Sequence, residues 1–339
     1  HDPGAYEFIE FRNLASNPVD LSGVTVSAAV EFTFPAGAVL NPGEHAVVVE
    51  DEAAFLSRYG DPASPWYFPG INVVGQWTGG LKNGGETIAV TAADGGTDIN
   101  TFAYGDGGSW PGRADGRGSS LELELDQPIP TASPEEKNAY LATGAKWRPS
   151  SEFHGSPGRD GRGPDNRIVV NEVLANSPAP ETDFIELMNT SGADIDVSGW
   201  LLSDSADDYM KFAIPSATSL GAGSFLRFDE SDFNVGAGAF SLSGSKGDDV
   251  FLLEVDSSGN LLGFVDSVEF GASAEGETFG RWPDGSGRLY PMLVATPGIA
   301  NNSAGNAVRN GPVVVSESDG GPLNDEGAVL RALLPDVPQ

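Results

Sequence analysis

The chain has 339 residues, 45 of them glycine and 24 proline, and sets 49 acidic against 18 basic side chains for a net charge of −31. Such a charge repels nucleic-acid phosphates and anionic lipid, so neither is an expected partner. The absence of cysteine removes disulfides, thiolate metal sites and one class of nucleophile. At 39% hydrophobic residues the chain can build real cores, its length fits about two domains, and its glycine and proline content points to the tight turns of all-β sandwiches. No stretch approaches the roughly 20 apolar residues of a membrane span, so membrane insertion is not expected. No signal peptide opens the chain, which starts in mid-motif; a mature or excised piece is the expectation.

Taken in order, short alternating runs predict strands at Tyr6–Arg12, Glu31–Phe34, His45–Glu50, Thr87–Thr91, Asn100–Tyr104 and Ser120–Leu125. Turn signals separate them, among them Asn41-Pro-Gly43, Asn83-Gly-Gly85 and Asp94-Gly-Gly96. Two short helices are predicted between strands: Asp51–Tyr59, with Asp51 as cap, and Ser133–Leu141, with proline at its first position. Residues 161–166 read as a polar linker. A second set of strands follows at Ile168–Leu174, Asp183–Met188, Gly199–Leu202, Lys211–Ile214, Ser224–Phe228, Asp249–Val255, Leu262–Val268 and Phe279–Trp282. Residues 302–310 are again polar. Val313-Val-Val315 comes next, then a Gly- and Asp-rich run, then an apolar end at 328–334 that fits a helical turn or a strand equally well.

The two sets repeat one script. Tyr6-Glu-Phe-Ile-Glu-Phe-Arg-Asn13 with Val19-Asp-Leu-Ser-Gly23 matches Thr182-Asp-Phe-Ile-Glu-Leu-Met-Asn189 with Ile195-Asp-Val-Ser-Gly199. Each copy closes on Pro-Gly, at Ser156-Pro-Gly158 and Thr296-Pro-Gly298. A repeat this long means two tandem domains of one fold, here 1–160 and 167–301, followed by a C-terminal extension over 302–339. The first copy is longer, mainly in 55–78 and 126–146, where any specialisation of that copy is expected.

Both copies resemble lamin-tail domains, an immunoglobulin-like β-sandwich found in nuclear lamins and in many bacterial secreted proteins. The second copy carries the resemblance most fully, in Ile168-Val-Val-Asn-Glu172, Val197-Ser-Gly-Trp-Leu-Leu-Ser-Asp204, Gly280-Arg-Trp-Pro-Asp-Gly285 and Thr296-Pro-Gly-Ile-Ala-Asn301. The first shows Glu7-Phe-Ile-Glu10, Phe34-Pro35, Lys146-Trp-Arg-Pro-Ser150 and Gly155-Ser-Pro-Gly158. The resemblance implies an all-β protein of two tandem immunoglobulin-like sandwiches, acting as an interaction or scaffolding module outside a bacterial cell or at its surface. In bacteria such domains accompany nucleases, kinase-like proteins of the spore-coat type and polysaccharide-degrading enzymes; none of those catalytic domains is in this chain. Trp200 is expected in the core, with Val24 at the matching position of the first copy.

The copies differ in strand count. Arg167-Ile-Val-Val-Asn-Glu172 precedes the second script, whereas His1–Ala5 precedes the first, and a similar strand, Pro312-Val-Val-Val-Ser-Glu317, follows the second. The first sandwich therefore reads as lacking a strand, with an open groove edged by Tyr6, Phe8, Ile9 and Phe11. Three fates are open for Val313, Val314, Val315, Ser316 and Glu317: they begin a third repeat, they fold back onto the first sandwich of the same molecule, or they fill the groove of a neighbouring molecule and build a head-to-tail fibre. The fold-back route ranks lowest, because 302–310 is short and the second sandwich would have to be bypassed.

No catalytic constellation emerges. The three histidines, His1, His45 and His154, form no Ser-His-Asp pattern, and Gly-x-Ser-x-Gly is missing from the strand–turn–helix context that gives it meaning. Asp204, Asp207 and Asp208 cluster hard oxygens and are the candidate calcium ligands, against the reading that these aspartates cap turns. No other cofactor is expected. Trp66, Tyr67, Trp77 and Trp110 are candidates for stacking on sugar rings, against the reading that the 61–80 insertion folds back over the sandwich. The leading expectation is a non-enzymatic extracellular structural or adhesive protein whose main partner is itself. The alternative is a polysaccharide-binding or substrate-targeting appendage of a larger secreted enzyme.

Overall fold

The computed structural model describes residues 3–125, 128–130, 133–303, 305–309, 314–317 and 331–333. The chain divides into two compact units, His1–Pro164 with Asp256–Gly263, and Asp165–Val255 with Phe264–Gln339. Both are β-rich, and their strands lie close to the predicted positions.

In unit 1, β1 (Phe8–Arg12) runs antiparallel to β2 (His45–Val49). Every residue of β2 after His45 is buried, because the strand has apolar layers on both faces. Ala46 and Val48 enter the sandwich core with Val26, Phe34, Trp77 and Val90. Val47 and Val49 meet α1 (Glu52–Tyr59), which buries Phe55 and Tyr59 against them. The cap of α1 is the expected one: the Asp51 carboxylate accepts the Ala54 N–H at 2.9 Å. On its far side β2 pairs in parallel with β3 (Val73–Gln76). The opposing sheet orders Asp98–Ala103, Thr87–Thr91, Thr25–Ser27, Val30–Thr33 and Thr78–Gly79. Separately, β4 (Leu121–Leu123) pairs antiparallel with β5 (Trp147–Pro149). The second predicted helix, Pro134–Leu141, is present with Ser133 as its cap.

In unit 2 the corresponding pieces form one sheet. β6 (Ile168–Leu174) lies between β7 (Phe184–Asn189) and β9 (Thr278–Trp282), with β8 (Phe225–Asp229) outside β7 and β10 (Arg288–Pro291) outside β9. All seven residues of β6 are buried. A bulge between Val170 and Glu172 interrupts its pairing with β7. Asp266 takes the freed Val170 N–H at 2.7 Å, and Arg281 donates to the Val170 carbonyl at 2.9 Å. The second sheet orders Phe212–Ala213, Leu201–Ser203, Gly247–Val255 and Leu261–Gly271. Trp200 is buried in this core, and Val24 is buried in the other, as expected.

The repeated script is local chemistry done twice. Asn13 donates to the Leu40 and Asn17 carbonyls at 2.9 Å, and Asn189 donates to Leu220 and Ala193 at 2.8 Å. Asp20 accepts the Ser22 N–H and Asp196 the Ser198 N–H, closing the Asp-x-Ser turns. The glycine after each serine sits at φ 76° or 77°, which a side chain would strain.

At the C-terminus, β11 (Val314–Glu317) pairs antiparallel with β12 (Arg331–Leu333), and its pairing is interrupted between Val315 and Glu317. Of the apolar end, the described part is therefore strand. Replacing Asn189 by alanine removes the amide donor of the buried Leu220 carbonyl and one of the two side-chain donors of the Ala193 carbonyl, the Ser191 hydroxyl being the other. The expected cost is about 2–4 kcal/mol of unit 2 stability, read by urea unfolding.

Candidate functional site

The two units diverge at one place. In unit 2, β6 covers the second edge of β7. In unit 1, β1 is paired on one edge only among the described residues, since its sheet runs β1, β2, β3 and the β4–β5 pair forms a sheet of its own. Burial follows the pairing. Phe184, Ile185 and Leu187 of β7 are buried, whereas Phe8, Ile9 and Phe11 of β1 are only half-buried. These three, expected at the edge of an open groove, do lie on the singly paired strand. Tyr6 does not: it ends a 3-10 turn over Pro3–Tyr6, and the strand starts at Phe8. The Arg58 guanidinium lies 3.4 Å above the Tyr6 ring, which draws that residue toward α1 instead.

Next to this edge stands the Pro-Gly turn that closes each repeat. In unit 2, the Glu186 carboxylate of β7 accepts the Gly298 N–H at 2.5 Å. The Glu172 carboxylate of β6 accepts the Thr296 N–H at 3.0 and 3.1 Å, and the Thr296 hydroxyl lies 3.1 Å from it and 2.9 Å from the Asn301 amide oxygen. Unit 1 repeats the first contact, with Glu10 of β1 accepting from Gly158 at 2.5 Å. The second contact changes hands. The Ser156 hydroxyl donates at 2.8 Å to Glu122, which comes from β4, and Arg148 of β5 holds the other Glu122 oxygen at 3.1 Å. Strands β1 and β4 thus reach one turn from two separate sheets.

Sequence reading missed these carboxylates, although Phe-Ile-Glu and Pro-Gly both stood in the repeated script. Burial pushes Glu186 up to about 7, with the nearby Glu172 charge adding to the rise and the Gly298 N–H opposing it. Glu172 and Glu10 are also raised, first of all by burial. His45 packs against Glu10, its Nδ1 3.0 Å from the carboxylate and its Nε2 3.4 Å from Asp160.

The remaining candidates scatter. Trp77 is 3% exposed, in the unit 1 core, and is no open platform for a sugar. Trp66 is half-buried beside His154 at 4.7 Å and donates its indole N–H to Leu261 within unit 1. Trp110 is half-buried 6.1 Å from Trp147, and Tyr67 alone of the four is exposed. Asp204 forms an ion pair with Lys211, Asp208 accepts the Met210 N–H, and the Asp207 backbone N–H binds Ser205. They do not converge, and among the described residues no group of three or more His, Asp or Glu side chains could hold a metal ion. The calcium reading of Asp204, Asp207 and Asp208 is corrected accordingly: the loop is held by its own hydrogen bonds and by a lysine. Val313 lies outside the described residues, while Val314–Glu317 forms β11. No helix among the described residues is long and apolar enough to cross a membrane.

The raised Glu186 fixes a sign. Folded unit 2 holds a proton up to about pH 7 that the unfolded chain releases near 4.5. Between those values the folded state binds more protons, so stability falls as pH rises through that window and levels off above it. The loss is on the order of 2–3 kcal/mol. Urea unfolding at pH 5 and pH 8 should show it, and Glu186→Gln should flatten the difference.

A family model described as Lamin Tail Domain matches residues 1–106 and 163–272, more than half of the chain. No curated protein and no solved structure matches it.

Proposed function

Because this chain belongs to the lamin tail domain family, we propose that it is a non-enzymatic structural or adhesive protein of the cell exterior that assembles head to tail, the Val313–Glu317 strand of one copy filling the open edge of unit 1 in the next. One observation carries the reading. β11 repeats β6 in sequence, Val-Val-Ser-Glu for Val-Val-Asn-Glu, and also in form. The bulge of β6 falls between Val170 and Glu172, and that of β11 falls at the matching place, between Val315 and Glu317. The strand type that completes unit 2 thus exists a second time, and unit 1 has an edge of the matching kind.

Energetics favour the exchange. Among the described residues β11 pairs with one strand, the three-residue β12. A two-stranded hairpin is marginal in water. Placed beside β1, the strand gains a second edge in β4 and covers Phe8, Ile9 and Phe11, which are now half-buried. The immunoglobulin-like fold fits such a scaffolding role.

Negative-stain microscopy of the full chain, beside a chain ending at Asn310, tests the proposal. Filaments that vanish on truncation are the expected result. Monomers in both samples overturn it and bring forward a glycan-binding appendage, with Tyr67 as the exposed aromatic to probe. Copies with a charge of −31 repel one another. Raising ionic strength from about 10 mM to about 150 mM shortens the screening length from roughly 30 Å to 8 Å. Sedimentation should therefore show assembly strengthening with salt.

A further inference from the structure

In unit 2 the turn before Gly298 is bound by a glutamate on the inserted strand, Glu172, which takes the N–H of Thr296 and lies 3.1 Å from its hydroxyl. In unit 1 the matching residue is Ser156. It is buried, its hydroxyl goes to Glu122, and its backbone N–H has no hydrogen-bond partner among the described residues. A buried N–H without an acceptor costs free energy comparable to a lost hydrogen bond. Glu122 therefore does half of what Glu172 does. The residue that aligns with Glu172 on the spare strand is Glu317.

Building on the assembly proposed above, we propose that Glu317 of the incoming copy is the register key: its carboxylate takes the Ser156 N–H and hydroxyl, leaving Glu122 to Arg148. The pairing of β6 with β7 supplies the register, in which Val169 faces Met188, Val170 faces Leu187 and Glu172 faces Glu186 across the bulge at Asn171. Carried to unit 1, Val314 faces Arg12, Val315 faces Phe11, Ser316 occupies the bulge and Glu317 faces Glu10. The resulting pair of carboxylates has its precedent in Glu172 beside Glu186, where peptide N–H groups of the Pro-Gly turn divide between the two. Arg148 already binds Glu122 through Nε and a terminal nitrogen, so Glu122 keeps a partner when Ser156 leaves it. A one-residue slip would turn the valines to the other face and carry Glu317 away from Ser156.

The chain has no cysteine, so engineered pairs report register without background. Directly opposed residues of antiparallel strands lie about 4.5–5.5 Å apart at Cα, within reach of a disulfide. Mixing full chains carrying Arg12→Cys and Val314→Cys should give an intermolecular disulfide on mild oxidation, whereas Arg12→Cys with Val315→Cys should not. Glu317→Ala should raise the concentration at half-assembly, measured by sedimentation, about tenfold to a hundredfold. Asp319→Ala should leave it unchanged. Filaments that form with the Val315 pairing, or that form at the wild-type concentration with Glu317→Ala, overturn the register key while strand donation stands. Absence of any assembly by the unaltered chain removes both.

Discussion

A strand has two edges, and every peptide group on a buried edge needs a partner. Unit 2 meets that demand by threading β6 between β7 and β9, with the four neighbouring strands holding it on both sides. The rest of its chemistry follows from that placement. The bulge at Asn171 lets Asp266 and Arg281 serve the Val170 backbone. Asn171 reaches Asp284 at 3.1 Å and accepts the Gly285 N–H at 2.9 Å, and Asn301 donates to the Asn171 carbonyl at 3.0 Å. The Val-Asn-Glu, Pro-Asp-Gly and Thr-Pro-Gly-x-x-Asn motifs are thus parts of one network around one strand. Charged and polar groups this deep are held because each finds a specific partner there.

Among the described residues unit 1 keeps the outline of this arrangement with no strand paired between β1 and β4. Its substitutes are local: an α-helical insertion covers β2 with Phe55 and Tyr59, and Glu122 reaches across to Ser156. The Tyr59 hydroxyl donates at 2.7 Å to the carbonyl of His154, tying the insertion to the segment just before the Pro-Gly turn. Burial, with Arg58 nearby, pushes the His154 imidazole down to about 4, so it stays neutral there at physiological pH. The insertion and the turn therefore brace each other around β1, whose outer edge is free of strand pairing among the described residues.

Much of this was legible in the sequence, for physical reasons that are local. Asp51 and Ser133 announce helix starts because a cap is satisfied within three residues. The strands are legible from alternation, and the difference between the two copies at the edge of β1, among the described residues, from comparing a repeated script. The side-chain partnerships are not legible, because they join distant positions. Nothing in Leu121–Leu123 says that Glu122 will meet a serine 34 residues on. Trp77, in a loop-rich stretch, can be read as a sugar platform or as covered by a folded-back insertion until the sandwich closes over it. Asp204 can be read as a calcium ligand or as a turn cap until Lys211 comes back to it. Local acidity showed where oxygens gather; only the fold showed what they face.

The completeness of unit 2 has a geometric consequence. A domain that houses its own central strand has no vacancy to offer a neighbour at that place, so in the proposed assembly each copy contributes one acceptor edge, β1 of unit 1, and one donor strand, β11. Units joined by such a single lock and single key grow as an unbranched line whose two ends differ chemically, one presenting a bare groove and the other an unhoused peptide. Length is then set by whatever blocks either end, and a short peptide with the Val-Val-Ser-Glu sequence is the natural stopper for one of them.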